Sequence, residues 1–371
     1  MNTAQNKLDP EIINEFRDVI NEHGLIYHIY KNRDGRDQWS VICSAMDWIE
    51  VAVTGIDPSK IIMAHSNEAS ISAMTFVNCI DIMWEGIQQL HRVFVDRNTI
   101  PFAGNHTIFQ KDASDNYYWK AIRAIFAAHP VNLYDVTGKK EKTTEKWFAS
   151  WSGAFIGSGD ISVYLYSNIP GRKAEQRNLE KRKLMEFAIS RYKYLNTLKD
   201  TIRVRSNEYL EKHRGTPLRV HPTDTPEQIV AYADYLIGEN SLRWDNPYYL
   251  EKLSEIRDAF SVSFKGENNQ TTLKNYRQAL LKGLDRIREA ISKLDYEFDD
   301  EGDFVDAVPP IEYQYACEHI FDENKAGLMS FGISKMQQYF GNTINYDECH
   351  SRREFIVLTK AGLFLKQDNK K

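Results

Sequence analysis

Apolar residues recur at helical spacing through most of this chain. After Asp9-Pro10, an acceptor followed by proline in a first turn, Ile13, Phe16, Val19 and Ile20 fall on one face and predict a helix ending between Gly24 and Asn32. The turn-rich stretch KNRDGRDQ then breaks the pattern. A second helix is predicted from about Trp39 to Val53, with Ile42, Ala45, Met46 and Ile49 inward. After the loop TGIDPSK, a third and longer helix is expected from about Asn67 to Asp96, carrying one stripe of Ile71, Met74, Val77, Ile80, Met83, Ile87, Leu90 and Phe94. A loop with Pro101 and Gly104 leads to a fourth helix opening near Asp115. Helices with one apolar face each, joined by short loops, predict a four-helix bundle over residues 9–133.

The texture changes at residues 146–166. KWFASWS and GDISVYLYS flank a glycine-rich GAFIGSG, and the second run alternates, with Ile161, Val163 and Leu165 on one side and Tyr164 and Tyr166 on the other. This predicts a β-hairpin, within a connection over 134–170. Helix is expected again after Pro170-Gly171, giving a larger carboxy-terminal helical region over 171–371. There, Thr225-Pro226-Glu227-Gln228 has the form of a capping box with proline at the first helical position, and Gly238 is expected to close that helix. The acidic DYEFDDEGDFVD, 295–306, is expected to connect two helices. The predicted fold class is mainly α.

Composition narrows the picture further. A chain of 371 residues exceeds what one core usually serves, and 42% apolar residues can fill more than one. A net charge of −5 argues against a general polyanion binder, so any nucleic-acid contact needs a local basic surface. The cysteines, Cys43, Cys79, Cys317 and Cys349, lie too far apart to suggest a disulfide framework or a metal knuckle. The polar MNTAQNKLDPEI lacks a signal-peptide pattern, and no run has the length of a membrane span, so a cytoplasmic protein is expected. A phosphate-binding glycine loop, a nucleophile elbow and a paired-carboxylate signature are all missing.

What remains is YYWKAIRAIFAAHPVNL, residues 117–133. Arg123 is followed six residues later by His129, with only Ala, Ile and Phe between, and Pro130 comes next. On an ideal helix six residues turn about 240°, so the two side chains would not share a face. Proline disfavours helical angles at the residue before it, which lets His129 unwind toward the arginine side. The carbonyl end of a helix favours a charged imidazole and a nearby guanidinium opposes it, influences that together keep a histidine near neutrality. A solvated helix cap is the plainer account of the same two residues.

Arginine, then histidine four to six residues later, at the end of the last helix of a four-helix bundle, resembles the signature of the HEPN superfamily. The resemblance covers the first third of the chain. It implies a metal-independent ribonuclease of the kind found in toxin–antitoxin, abortive-infection and other antiviral defence systems, acting as a homodimer without cofactor or metal, with an antitoxin or regulatory protein as a further partner. Arg123 would clamp the phosphate, and His129 would do the acid–base work that turns a ribose 2′-hydroxyl on the adjacent phosphorus and yields a 2′,3′-cyclic phosphate. The residue after the arginine, often polar in active members, is Ala124. The alternative is therefore a non-catalytic dimeric module on the same fold, binding RNA or protein.

Secondary candidates surround this pair. His106 in the preceding loop and Asp115 at the start of the fourth helix are possible auxiliaries, with Asp115 as an N-cap in the plainer reading. Asp47 and Glu50 on the second helix are opposite-charge candidates for orienting Arg123. Residues 172–205 hold eleven Lys or Arg against four acids, which makes Lys181, Arg182, Lys183, Arg191 and Lys193, interleaved with Tyr192 and Tyr194, a candidate RNA groove. A solvated helix face is the other reading of that run. Cys317, His319, Cys349 and His350 carry soft donors at a spacing that fits no zinc motif, so no metal site is expected.

Overall fold

A computed structural model of the chain describes residues 7–62, 66–128, 130–133, 145–151, 160–295, 304, 310, 312–313 and 326–368. They are mainly helical, with a small three-stranded antiparallel sheet. The chain forms two compact units, 1–207 and 208–371. The division falls later than the sequence-based boundaries at 133 and 170, because the sheet and the helix after it share a core with the amino-terminal helices.

In the first unit the helices are α1 (Glu11–Asn21), α2 (Leu25–Tyr30), α3 (Trp39–Gly55), α4 (Asn67–Phe94) and α5 (Asp115–Arg123). Gly24 separates α1 from α2 with φ +68°, a left-handed turn that glycine adopts without a Cβ penalty. Ser66 opens α4 by accepting a hydrogen bond from the Ala69 amide at 3.2 Å. The stripe on α4 is buried from Val77 to Phe94, but Ile71, expected inside, is 55% exposed. α3 and α4 come close at Gly86, where a Cβ would stand 2.8 Å from Ile49 Cγ1 and 3.3 Å from the Ala45 carbonyl oxygen.

At its carboxy-terminal end α5 widens into a five-residue π-helical turn, Ala124–Ala128, which buries Ile125 and Phe126. Pro130 and Leu133 then lie along the sheet: the Ala149 amide donates to the Pro130 carbonyl at 2.6 Å, and Leu133 and Trp147 exchange two backbone hydrogen bonds. The sheet runs β1 (Trp147–Ser150), β2 (Ile161–Ser167), β3 (Glu175–Leu179), in that order. Alternation on β2 is as the pattern predicts, with Ile161, Val163 and Leu165 buried and Tyr166 exposed. β3 lies where helix was expected, and the GAFIGSG stretch, 153–159, lies outside the described residues. α6 (Lys181–Tyr192) and α7 (Tyr194–Arg214) follow.

The second unit contains α8 (Pro226–Arg243), α9 (Pro247–Ser261), α10 (Glu267–Lys293), α11 (Ala326–Phe340) and α12 (Arg352–Asp368), with one apolar core drawn from them. Thr225 and Gln228 make the reciprocal capping box at the start of α8. That helix runs through Gly238 to Arg243 rather than stopping at the glycine, because buried Leu236 and Asn240 on either side keep its face packed. Glu348 accepts from the Lys265 and Gly266 amides, both at 3.0 Å, and so holds the residues that lead into α10. Of the acidic stretch 295–306, only Asp295 and Phe304 are described. Among the described residues no helix is long and apolar enough to cross a membrane.

Candidate functional site

Trp119 and Arg123 stand four residues apart on α5, on one face, and both reach the same carboxylate. The Trp119 Nε1 donates to Asp81 Oδ1 at 3.1 Å, and Arg123 Nη1 donates to Asp81 Oδ2 at 3.1 Å. Asp81 belongs to α4, where it interrupts an otherwise apolar run, Cys79 to Trp84, with a single acid. The Arg123 side chain is 34% exposed and that of Asp81 16%, so the pair is half-sheltered, with its guanidinium still open to solvent. A charge pair in such a setting stabilises the fold by about 1 kcal/mol or less.

The pair borders a cavity of about 210 Å³ between α4, α5 and the loop that joins them. Lys120, Arg123, Asp81 and Glu85 bring two positive and two negative side chains to it, and Trp84, Trp119 and Tyr117 supply aromatic walls. Such a mouth can hold a group that carries both charge and a flat apolar face. His129, the other half of the motif, lies outside the described residues.

The auxiliary candidates are placed elsewhere. Asp47 and Glu50 each meet Arg17 of α1 at 2.7 Å, and it is Asp81 that meets Arg123. Three residues apart on α3, the two acids share the face turned to α1, and together they raise the Arg17 pKa against the opposing effect of its burial. Asp115 is fully buried, and its carboxylate accepts from the Ile108 and Phe109 amides at 3.1 and 2.9 Å. It ties down the preceding loop; the N-cap is Ser114, which accepts from the Tyr117 amide. His106 is exposed, with Nδ1 3.2 Å from the Lys111 carbonyl oxygen.

The candidate RNA groove loses its central member. Arg191 is completely buried, packed within 4.2 Å of the Phe187 ring centre and 4.7 Å of that of Phe102, with Trp84 at 5.8 Å. Its Nη2 donates to Asn116 Oδ1 at 2.9 Å, and burial lowers its pKa to about 10, with Asp115 opposing the shift. Arg182 pairs with Glu186 at 2.6 Å and with Glu180 at 3.6 Å, and Lys183 meets Glu180 at 3.8 Å. The Lys181 amide donates to Asp160, while Lys193 is exposed. Much of the local positive excess is thus offset by acids, some from outside the segment, as when Glu145 meets Arg172 and Glu15 meets Lys199.

Cys349 lies in the second unit, its thiol pushed up to about 12 by burial and by Glu354 and Glu348. The His350 amide donates to Glu354 at 2.6 Å, and Cys317 and His319 lie outside the described residues. Among the described residues no three His, Cys, Asp or Glu side chains gather as metal donors.

No family model matches this chain, and neither curated proteins nor solved structures yield a match.

Proposed function

We propose that this chain is a metal-independent endoribonuclease of the HEPN type, with a homodimeric four-helix bundle over residues 9–133 built from α1, α3, α4 and α5. The observation that carries the reading is the Asp81–Arg123 pair at the mouth of the α4–α5 cavity, with His129 following just beyond the π-turn in sequence. π-turns are rare and recur at functional sites. Arg123, held by Asp81 yet partly open, is the group to receive a phosphodiester, since a guanidinium matches two phosphate oxygens at once.

In this mechanism His129 takes the proton of a ribose 2′-hydroxyl, and the freed oxygen attacks the adjacent phosphorus. Arg123 stabilises charge growing on the non-bridging oxygens. The bond from phosphorus to the 5′-oxygen breaks, and the partner subunit's His129 protonates the leaving oxygen. The products are a 2′,3′-cyclic phosphate and a 5′-hydroxyl; DNA, lacking the nucleophile, is not cut. Such an activity needs restraint, for which an antitoxin or regulatory protein in a cytoplasmic phage-defence setting is the fitting partner.

A second reading keeps the site and drops the chemistry: a dimeric module that binds RNA or protein. It is favoured by Ala124 beside the arginine and by the balance of Asp81 and Glu85 against Lys120 and Arg123, which leaves the cavity without net positive charge.

Purified protein incubated with total RNA in EDTA across pH 5–9, beside an Arg123→Ala, His129→Ala variant of matching circular dichroism, separates the two. Cleavage by the parent and none by the variant is expected. Intact RNA with both proteins ends the enzyme reading.

A further inference from the structure

On the other side of Asp81 lies a larger cavity that the proposed chemistry does not use. It has a volume of about 500 Å³ and lies between α3 and α4, floored by Ala45 and Gly86. Its walls are apolar, with Val41, Trp48 and Ile82 all well exposed and the Trp48 indole the most, at 55%. An indole so placed offers a large amphipathic face to a ligand.

The polar lining has one sign. Ser40, Ser44 and Gln89 are neutral, Asp81 and Glu85 are acids, and no Lys or Arg lines the cavity. Asp81 is already matched by Arg123 on its far side. Glu85, one helical turn further along α4, is exposed and has no partner among the described residues. The groove therefore holds one carboxylate in no ion pair among the described residues, beside an open aromatic ring and an apolar floor.

We infer that this α3–α4 groove is a binding site for a small organic monocation with a flat or apolar body, such as an amidinium or an alkylammonium, whose charge is met by Glu85 and whose body lies on Trp48. Both contributions are of the kind that recognises organic cations: a carboxylate for the charge and a ring face for the cation's edge. The groove shares Asp81 and Glu85 with the Arg123 cavity, but its aromatic face, Trp48, belongs to it alone of the two.

The test is calorimetric titration of the full chain with benzamidinium and with benzamide, its neutral isostere. Benzamidinium is expected to bind about tenfold more tightly than benzamide. Glu85→Gln removes that preference, and Trp48→Ala weakens the binding of both compounds, in each case without a change in melting temperature beyond that of an exposed substitution. Equal affinity for the two compounds, a preference that survives Glu85→Gln, binding indifferent to Trp48→Ala, or no heat with either compound would each overturn the assignment.

Discussion

Asp81 and Arg123, 42 residues apart in the chain, meet at 3.1 Å, and the same carboxylate also takes the indole N–H of Trp119. The two ends of this arrangement are unequal. Removing Arg123 leaves Asp81 with Trp119 and partial access to water, whereas removing Asp81 leaves the buried indole donor of Trp119 without its acceptor.

Asp81→Ala should therefore cost about 2 kcal/mol of stability and Arg123→Ala about 0.5 kcal/mol. Urea unfolding of the two variants measures the difference; equal losses would show that the indole bond does not matter. In the ribonuclease reading Asp81→Ala also slows cleavage, because Arg123 loses its fixed direction.

Arg191 offers a contrast, since its role is packing and internal hydrogen bonding. Arg191→Ala should cost about 3 kcal/mol, by opening a void among Trp84, Phe102 and Phe187 and leaving Asn116 short of a donor. Arg191→Met, which refills the space, should recover about half of that loss. Chemical denaturation decides it: a Met variant no more stable than the Ala variant would mean that the charge, and not the volume, is what the site requires.

His91 is buried in α4, with Nδ1 2.9 Å from the Tyr194 hydroxyl and Nε2 2.9 Å from the Thr99 hydroxyl. Burial, aided by Arg92 and opposed by Asp96, holds its pKa below the ordinary 6.5. As pH falls past that value the unfolded chain takes up a proton before the folded one does, so stability present above it is lost as pH drops toward the lowered folded value. Melting temperatures between pH 7 and pH 5 should fall for the parent and fall less for His91→Gln. Parallel curves would exclude this histidine as a source of acid sensitivity.

Gly86 makes the α3–α4 contact possible, and Gly86→Val should cost about 2 kcal/mol or more despite replacing a poor helix former. A thermal melt suffices as the check. An unchanged midpoint would mean that Ile49 and the Ala45 carbonyl yield freely.

Much of the helical order was legible because burial and periodicity coincide: Ile13, Phe16 and Ile20 on α1, or Ile80, Met83 and Ile87 on α4. β3 was not, since EQRNL has one apolar residue and becomes a strand only by pairing with β2. Arg191 was misread because charge predicts exposure, while its aromatic box is assembled from α4, the following loop and α6. Arg123 was legible as a candidate, but its partner was sought on the wrong helix. The signal for Asp81 was there, a lone acid amid apolar neighbours on α4, and it says nothing about which cation it faces until the fold brings α5 alongside.

The widened turn at 124–128 amounts to one surplus residue accommodated inside a helix. Deleting Ala127, a single codon, would let the segment rewind as regular α-helix while the chain on either side keeps its place, since the wide turn had already absorbed that residue. The Pro130 carbonyl should then keep the Ala149 amide, whose retained hydrogen-exchange protection is the check. The wide turn thus lets the chain carry one residue more between Arg123 and the sheet without displacing either.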